Sequence, residues 1–410
     1  MRKLSLGTVL WIWALTMVAG IFLYKMLNKT RAEQKVTLTF ATWWDDELKK
    51  GTLSALIAEY EGQNPGVTVK LEKKTWPEIE ELLNGKTIIK DNNKNSQEQN
   101  PPDIFSIDPY AIGELEKNSV LAAPGTDKDS AGNVVSIISF INPLYYNIDL
   151  LQAAGFDRPP KNQTEFISYA KLLKEKGVYG AGLALSDPRS VSRQLLSWIW
   201  AAAGSPASAP LKFDSKDVVD TLNFLNLLSQ SLYANPFDLS EADLLEAFGS
   251  GKIGMMIGSV QDVEKLKKTK INFSITTIPV PVSYSKKPVF PLTVWYAGIY
   301  SGTKYPEEAK KFISFLKRKS EDIANAAYAV PGNGTLNREL SKNDPYYAKA
   351  FDMYEAGEMV REVSCSPNMS LYNSIILREV KLMFQGSKTP RECAEAIEKD
   401  LEKLAETPAR

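Results

Sequence analysis

Trp43, Trp44, Asp45 and Asp46 stand together directly behind the apolar, β-branched run at residues 35–42. Two indoles beside two carboxylates suit one kind of chemistry. A ring face lies well on the C–H face of a pyranose, and a carboxylate accepts hydrogen bonds from its hydroxyl rim. Each hydrogen bond to a charged acceptor contributes about 1.5–3 kcal/mol. The competing use of the same residues is structural: a tryptophan packed under a loop and an aspartate capping the next helix. Asp108 occupies the equivalent place after the short apolar run at 103–108. Trp295 and Tyr296 lie in a β-prone stretch, and Trp198 and Trp200 are two apart in a helical pattern. On a helix that spacing turns the rings in different directions, so at most one faces a cleft.

Other chemistries are harder to build. The 410 residues include no histidine, which removes the usual general base near neutral pH and the commonest metal ligand. Tyr145 and Tyr146 could offer phenolates to ferric iron, but carboxylates would have to complete the set; packing or a hinge contact is the better reading. Residues 127–133 begin like a calcium loop, yet Ile138 stands where a bidentate glutamate is needed. The GSGK at 249–252 lacks the first glycine of a phosphate loop and reads as a helix end feeding a buried strand. No metal and no cofactor are expected. Lys+Arg and Asp+Glu both count 49, which argues against a nucleic-acid partner.

The length exceeds what one core fills, so two lobes are expected. Strand and helix patterns alternate from residue 35: strands at 35–42, 67–74 and 103–108 interleave with helical spacing at 53–66 and 76–86, where Pro77 marks a start and Gly85 a stop. This order predicts a mostly parallel sheet covered by helices. Helices dominate 148–231, strands return at 252–258, 271–279 and 292–302, and helices close the chain. Each lobe is therefore assembled from separated pieces, with two crossings forming a hinge. Ahead of this, residues 4–24 carry no charge, follow Arg2 and Lys3, and are long enough to span a bilayer. Small-residue cleavage sites behind the run are poor, so an uncleaved signal anchor is expected. Cys365 and Cys393 could pair or remain free thiols.

Several segments, in order, resemble the carbohydrate-binding extracellular solute-binding proteins of ATP-driven importers, the group that includes maltose-binding protein. They are LTFATWWDDE at 38–47, PPDIFSIDPYAIGELEKNSVLAA at 101–123, LYYNIDLLQAAG at 144–155, EAFGSGKIGMMIG at 246–258, SGTKYPEEAKKFISFL at 301–316 and the stretch from 371 to 404. The resemblance implies an α/β, periplasmic-binding-protein-like fold, two lobes about a hinge, with a sugar held between them. By position it implies a cleft containing Trp43, Trp44, Asp45, Asp108, Trp295, Tyr372 and Trp198 or Trp200. The sequence departs from the family before Tyr145, where GNVVSIISFINP lacks a Tyr-Gly-x-Pro pattern, and before Trp295, where LTV replaces a glycine pair.

The expectation is a non-catalytic, monomeric binding component outside the cytoplasmic membrane, tethered by its N-terminal helix, that passes a carbohydrate to an ABC permease. The lobes are expected at 35–140 plus 262–330 and at 141–261 plus 331–410, after a segment 1–34 of anchor and linker. Contacts made by the second lobe only on closure would favour the shut form. One competing function is a membrane-anchored glycoside hydrolase using Asp45 or Asp46 with Asp108, which requires two carboxylates at a set separation. Another is a ligand-sensing subunit of a membrane receptor.

Overall fold

The computed structural model describes residues 35–84, 100–122, 134–204, 211–284, 287–327, 329–331, 344–361 and 369–406, with Met17 and Lys342. Apart from Met17, the expected anchor at 4–24 lies outside the described residues, as do residues 127–133 and Cys365. Among the described residues no helix is long and apolar enough to cross a membrane.

β1 (Val36–Thr42) pairs in parallel with β2 (Val67–Lys73) and with β3 (Ile104–Ile107). The helices Thr52–Gln63 and Trp76–Leu83 connect them in the expected β-α-β-α-β order. Thr75 and Glu78 start the second helix with a capping box, which satisfies donors that a helix start leaves open. β4 (Val134–Ile141) is buried at all eight positions. β9 (Val289–Ile299) runs between β3 and β4, antiparallel to both. The sheet is completed by β10 (Val330–Pro331) beside β4 and β11 (Glu358–Arg361) beside the first residues of β9.

A second sheet has the order β6 (Tyr179–Gly182), β7 (Ile253–Ile257), β5 (Leu144–Asn147), β8 (Phe273–Thr276). Here β6 and β7 are parallel, and β5 runs against both β7 and β8. The expectation of mostly parallel pairing is thus met by the first three strands and corrected beyond them. In the first sheet β1 to β4 point one way with β9 inserted against them and β10 and β11 running in the direction of β9; in the second, β5 is inserted against β6, β7 and β8. The inserted strands are the ones reached by crossing from the other sheet: β4 passes through Asn142 and Pro143 into β5, and β8 leads through 277–288 into β9. A chain entering a sheet from the side where its parallel strands end must run counter to them.

Strand pairing also departs from the boundaries expected for the lobes. β8 falls within 262–330 but pairs with β5, and β11 falls within 331–410 but pairs with β9. Hydrophobic periodicity identifies a strand; it carries no information on which distant strand completes its hydrogen bonds. The helix Pro345–Ala356 lies on the second sheet, where the Tyr346 hydroxyl donates to the Phe273 carbonyl at 3.1 Å and their rings stack. The chain therefore crosses more than twice.

Two buried clusters hold the sheets. One spreads from Leu38, Phe40 and Phe105 through Trp295 and Phe312, and continues by Tyr145 and Val260 to Phe248 and Phe273. The other packs Phe166, Trp198, Leu222 and Leu225 with Ile376 and Ile397 of the C-terminal helices. Gly180 permits the closest approach in the second: a Cβ there would lie 2.2 Å from Ala170 Cα, so β6 can rest on the helix Gln163–Glu175 only without one. Cys393 is a free thiol, and burial pushes its pKa up to about 12.

The helix Gln163–Glu175 also carries an acid-sensitive contact. Glu165 accepts from Arg158 Nη1 at 2.7 Å and Nη2 at 3.1 Å, and from the Lys161 N–H at 2.9 Å. These bonds hold its carboxyl down at about 2, below its ordinary 4.5. A depressed acid contributes stability that is complete above its ordinary range and is lost as pH falls towards the folded value. The destabilisation caused by Glu165→Gln is therefore expected to be largest above about pH 5 and to fade towards about pH 2. Urea midpoints of both proteins across that range provide the check; a difference independent of pH would contradict it.

Candidate functional site

Four segments at the carboxyl ends of the parallel strands meet between the sheets. β1 leads into Trp43 and the short helix Trp44–Glu47, and β3 into Asp108 and the turn Pro109–Ala111. From the second sheet, β6 leads to Asp187 and the turn Pro188–Ser190, and β7 to Ser259 and the turn Val260–Asp262. Three of these turns begin at a side chain that accepts a backbone N–H. Asp108 takes that of Tyr110 at 3.0 Å, Asp187 that of Arg189 at 2.8 Å, and Ser259 that of Gln261 at 3.3 Å. Such caps fix the loops in shape. The crevice beyond strand carboxyl ends is where open α/β sheets take their ligands.

Side chains cross this crevice at two places. The Tyr110 hydroxyl donates to the Arg189 carbonyl at 2.6 Å, and the Arg189 guanidinium lies 3.5 Å from Asp108 while gripping Asp187 with Nε at 2.9 Å. At the other place the Gln261 amide donates to Glu47 at 2.8 Å, with Lys265 at 3.5 Å from the same carboxylate. Between sheet and hinge, Arg193 donates to Glu241 at 2.8 Å and to Thr293 of β9 at 3.0 Å. Arg193 lies in a π-helical turn, Ser192–Leu196, a form that often marks functional positions.

Electrostatics follow burial. Burial raises the Asp108 carboxyl above its ordinary range, against the Tyr110 N–H and Arg189, which favour the charged form. Asp262 is raised by burial as well, opposed by Arg193 and Lys265. Asp187 is lowered by its bonds to Arg189. A cavity of about 650 Å³ opens beside the second crossing, lined by Glu47 from the first sheet and by Arg193, Glu241, Gln261, Asp262 and Lys265 from the second.

The residues expected from the sequence divide into two groups. Trp43 is half-buried, Asp45 is paired with Lys73 at 2.6 Å, and Asp108 sits at the first crossing. Asp46 is exposed, 3.5 Å from the same lysine. Trp44 and Trp295 do come together, but they stack on each other at 5.2 Å and are 0% and 5% exposed. The expectation of open ring faces is corrected for both, since Phe40 and Phe140 pack edge-on around the pair and close it into the first core. Trp198, 1% exposed, is wedged between Phe166 and Phe224, and Trp200 is buried too. Neither helical tryptophan faces a cleft, because both sides of that helix are covered. Tyr372 is buried edge-on to Phe213, next to Asn373, whose amide donates to the Pro188 carbonyl at 3.0 Å. The Tyr145 hydroxyl donates to the Ser259 carbonyl at 2.6 Å, and burial holds the phenol well above its ordinary pKa, which suits a loop support rather than an iron ligand.

The sequence reading passed over Glu47, Arg189, Arg193, Glu241, Gln261, Asp262 and Lys265. Gln261 and Asp262 were legible by the rule that selected Asp108, because SVQD stands one glycine beyond the strand at 253–257. Arg193 and Glu241 had no such signal: each sits on a helical segment and reaches the crevice through packing.

Comparison with known proteins agrees with this architecture. Residues 44–322, more than half of the chain, match the model of the family described as bacterial extracellular solute-binding protein. A protein named as an ABC-transporter periplasmic-binding protein, YcjN of Escherichia coli K12, is 24% identical over 335 residues, 74% of this chain and 73% of that one. Among solved structures, the GacH receptor of Streptomyces glaucescens superposes with a TM-score of 0.70 at 18% identity, covering 91% of this chain and 99% of that chain. Lmo0181 of Listeria monocytogenes gives 0.69 at 16% identity, with the same coverage. Maltose-bound MalE3 of T. maritima gives 0.68 at 18%, covering 90% of this chain and all of the other. With two α/β sheets whose strand-end loops face each other, the chain belongs to the bacterial extracellular solute-binding protein family.

Proposed function

We propose that the protein captures a carbohydrate in the crevice between its sheets and delivers it to the permease of an ABC importer. The observation that carries this reading is the meeting of strand-end loops from both sheets, Glu47 on Gln261 and Asp108 on Arg189. A solute caught there is touched by both lobes at once, so it favours the closed arrangement. Relatives of the same fold were solved with acarbose, cycloalternan and maltose, which supports a hydroxyl-rich guest. Trp43, Asp45 and Asp108 contact the solute, while Trp44, Trp295, Tyr372 and Trp198 act from behind, as packing that holds those contacts in place. The lobes move about the crossings between the sheets, among them Asn142 and Pro143. An extracytoplasmic location follows from the extracellular family, and residues 4–24 tether the protein beside its transporter.

Calorimetric titration with maltose, maltotriose, ribitol, amino acids and ferric ion tests this. A saturable one-to-one response to a sugar or polyol, with the ligand recovered intact and its uptake lost in cells lacking the protein, is the expected result. A response to ferric ion or amino acids alone would reject the carbohydrate assignment. Release of reducing sugar would make the protein a hydrolase, and unchanged uptake would make it a sensor.

A further inference from the structure

We infer that Tyr110 is a positioning residue of the crevice, a latch that reaches from the first sheet to the second and keeps their strand-end loops facing each other. This rests on the reading of the two sheets as lobes that close on a solute. Tyr110 stands in the turn Pro109–Ala111 behind β3, so its backbone belongs to the first sheet. Its ring does not. Ala111, the next residue, packs on the first buried cluster, whereas the half-buried Tyr110 ring packs on the second, the cluster of Phe166, Leu222 and Ile376. Its hydroxyl then donates to the Arg189 carbonyl at 2.6 Å. One side chain thus joins the two halves twice, by apolar contact and by a hydrogen bond.

Both ends of that bond are fixed before they meet. Asp108 holds the Tyr110 N–H at 3.0 Å. On the receiving side Asp187 accepts the Arg189 N–H at 2.8 Å, the Ser190 hydroxyl donates to the Asp187 carbonyl at 2.7 Å, and the buried Asn373 amide donates to the Pro188 carbonyl at 3.0 Å. The helix Met369–Phe384, which carries Asn373, lies against both turns. A donor and an acceptor already held in place lose little freedom on pairing, so more of the bond's strength goes into closure. The ion pair at the same crossing is the weaker link. The Arg189 side chain is 53% exposed, stands 3.5 Å from Asp108 and is engaged at shorter range by Asp187 of its own turn, so water screens its pull on the first sheet. Ring and hydroxyl of Tyr110 therefore carry this crossing. Both partners belong to the protein, so the latch favours the shut arrangement whatever solute lies between the lobes.

Spin labels attached through Lys50→Cys and Lys268→Cys, exposed positions that flank the contact of Glu47 with Gln261, report lobe separation away from Tyr110 itself. Pulsed electron-spin-resonance distances are measured on the full chain in a Cys365→Ser background, with no solute added. Tyr110→Phe removes only the hydroxyl and is expected to lower the ratio of short to long distances about fivefold, the effect of one hydrogen bond. Tyr110→Ala also withdraws the ring and should lower it at least about tenfold. Tyr145→Phe is the control: it loses a bond of the same length, 2.6 Å to the Ser259 carbonyl, within the second sheet, and is expected to leave the distances unchanged. Distances unaltered in both Tyr110 variants, or shifted equally by Tyr145→Phe, would overturn the latch and leave carbohydrate capture standing. Because no sugar enters the measurement, rejection of the carbohydrate assignment by titration leaves its outcome untouched.

Discussion

Alanine at position 44 is expected to lower the unfolding free energy by about 3–5 kcal/mol, the range for removing a large aromatic from a packed core. The indole of Trp44 is fully buried, stacked on Trp295 at 5.2 Å and 4° and met edge-on by Phe40. Its Nε1 has no hydrogen-bond partner among the described residues, so the loss is one of packing. Trp44→Phe keeps part of the stack and should cost clearly less. Urea unfolding followed by circular dichroism measures the shift. A platform for a sugar ring behaves in the opposite way: its truncation weakens binding and leaves the unfolding midpoint in place. That second pattern would remove Trp44 from the core and return it to the crevice.

The second large effect belongs to Arg193→Ala. One guanidinium ties Glu241 at the rim of the cavity to Thr293 on β9, the strand through which the chain returns to the first sheet. Thr293 is also engaged by the Asn142 amide at 3.2 Å, at the other crossing, so the contact joins both hinge segments. Truncating one partner of a desolvated charge pair costs about 2–5 kcal/mol, but the Glu241 side chain is 36% exposed, and screening by water brings the loss down to about 1–2 kcal/mol. Among the described residues, Glu241 would retain the 3.3 Å hydrogen bond from the Gln194 amide. Affinity for a neutral sugar is expected to fall about tenfold, together with a larger radius of gyration in solution scattering. Arg193→Lys restores the charge but not the two-partner reach, so it should recover only part of the affinity. Unchanged affinity and unchanged radius would show that the two lobes are coupled elsewhere.

Much of the architecture was readable in the chain. Period-two alternation at 35–42 and the helical spacing around Pro77 depend on neighbouring residues, and both appear as β1 and the helix Trp76–Leu83. The ends of β1 and β3 could be located from the same local pattern, and with them the places of Trp43, Asp45 and Asp108 directly behind those strands. The fold followed because six segments in order resembled one family.

The partners of those elements were another matter. Two indoles at strand ends look alike whether they face solvent or each other, and it was the insertion of β9 between β3 and β4 that laid Trp295 on Trp44. β8 and β11 were recognisable as strand-prone, yet their membership of a sheet depended on hydrogen bonds to β5 and β9, far away in the chain. Residue type and local period thus determined which pieces are strands, which are helices and what the strand-end loops carry. Burial, pairing and the charges facing the crevice were decided by contacts between distant segments, because a side chain's environment is set by whatever the folded chain brings against it.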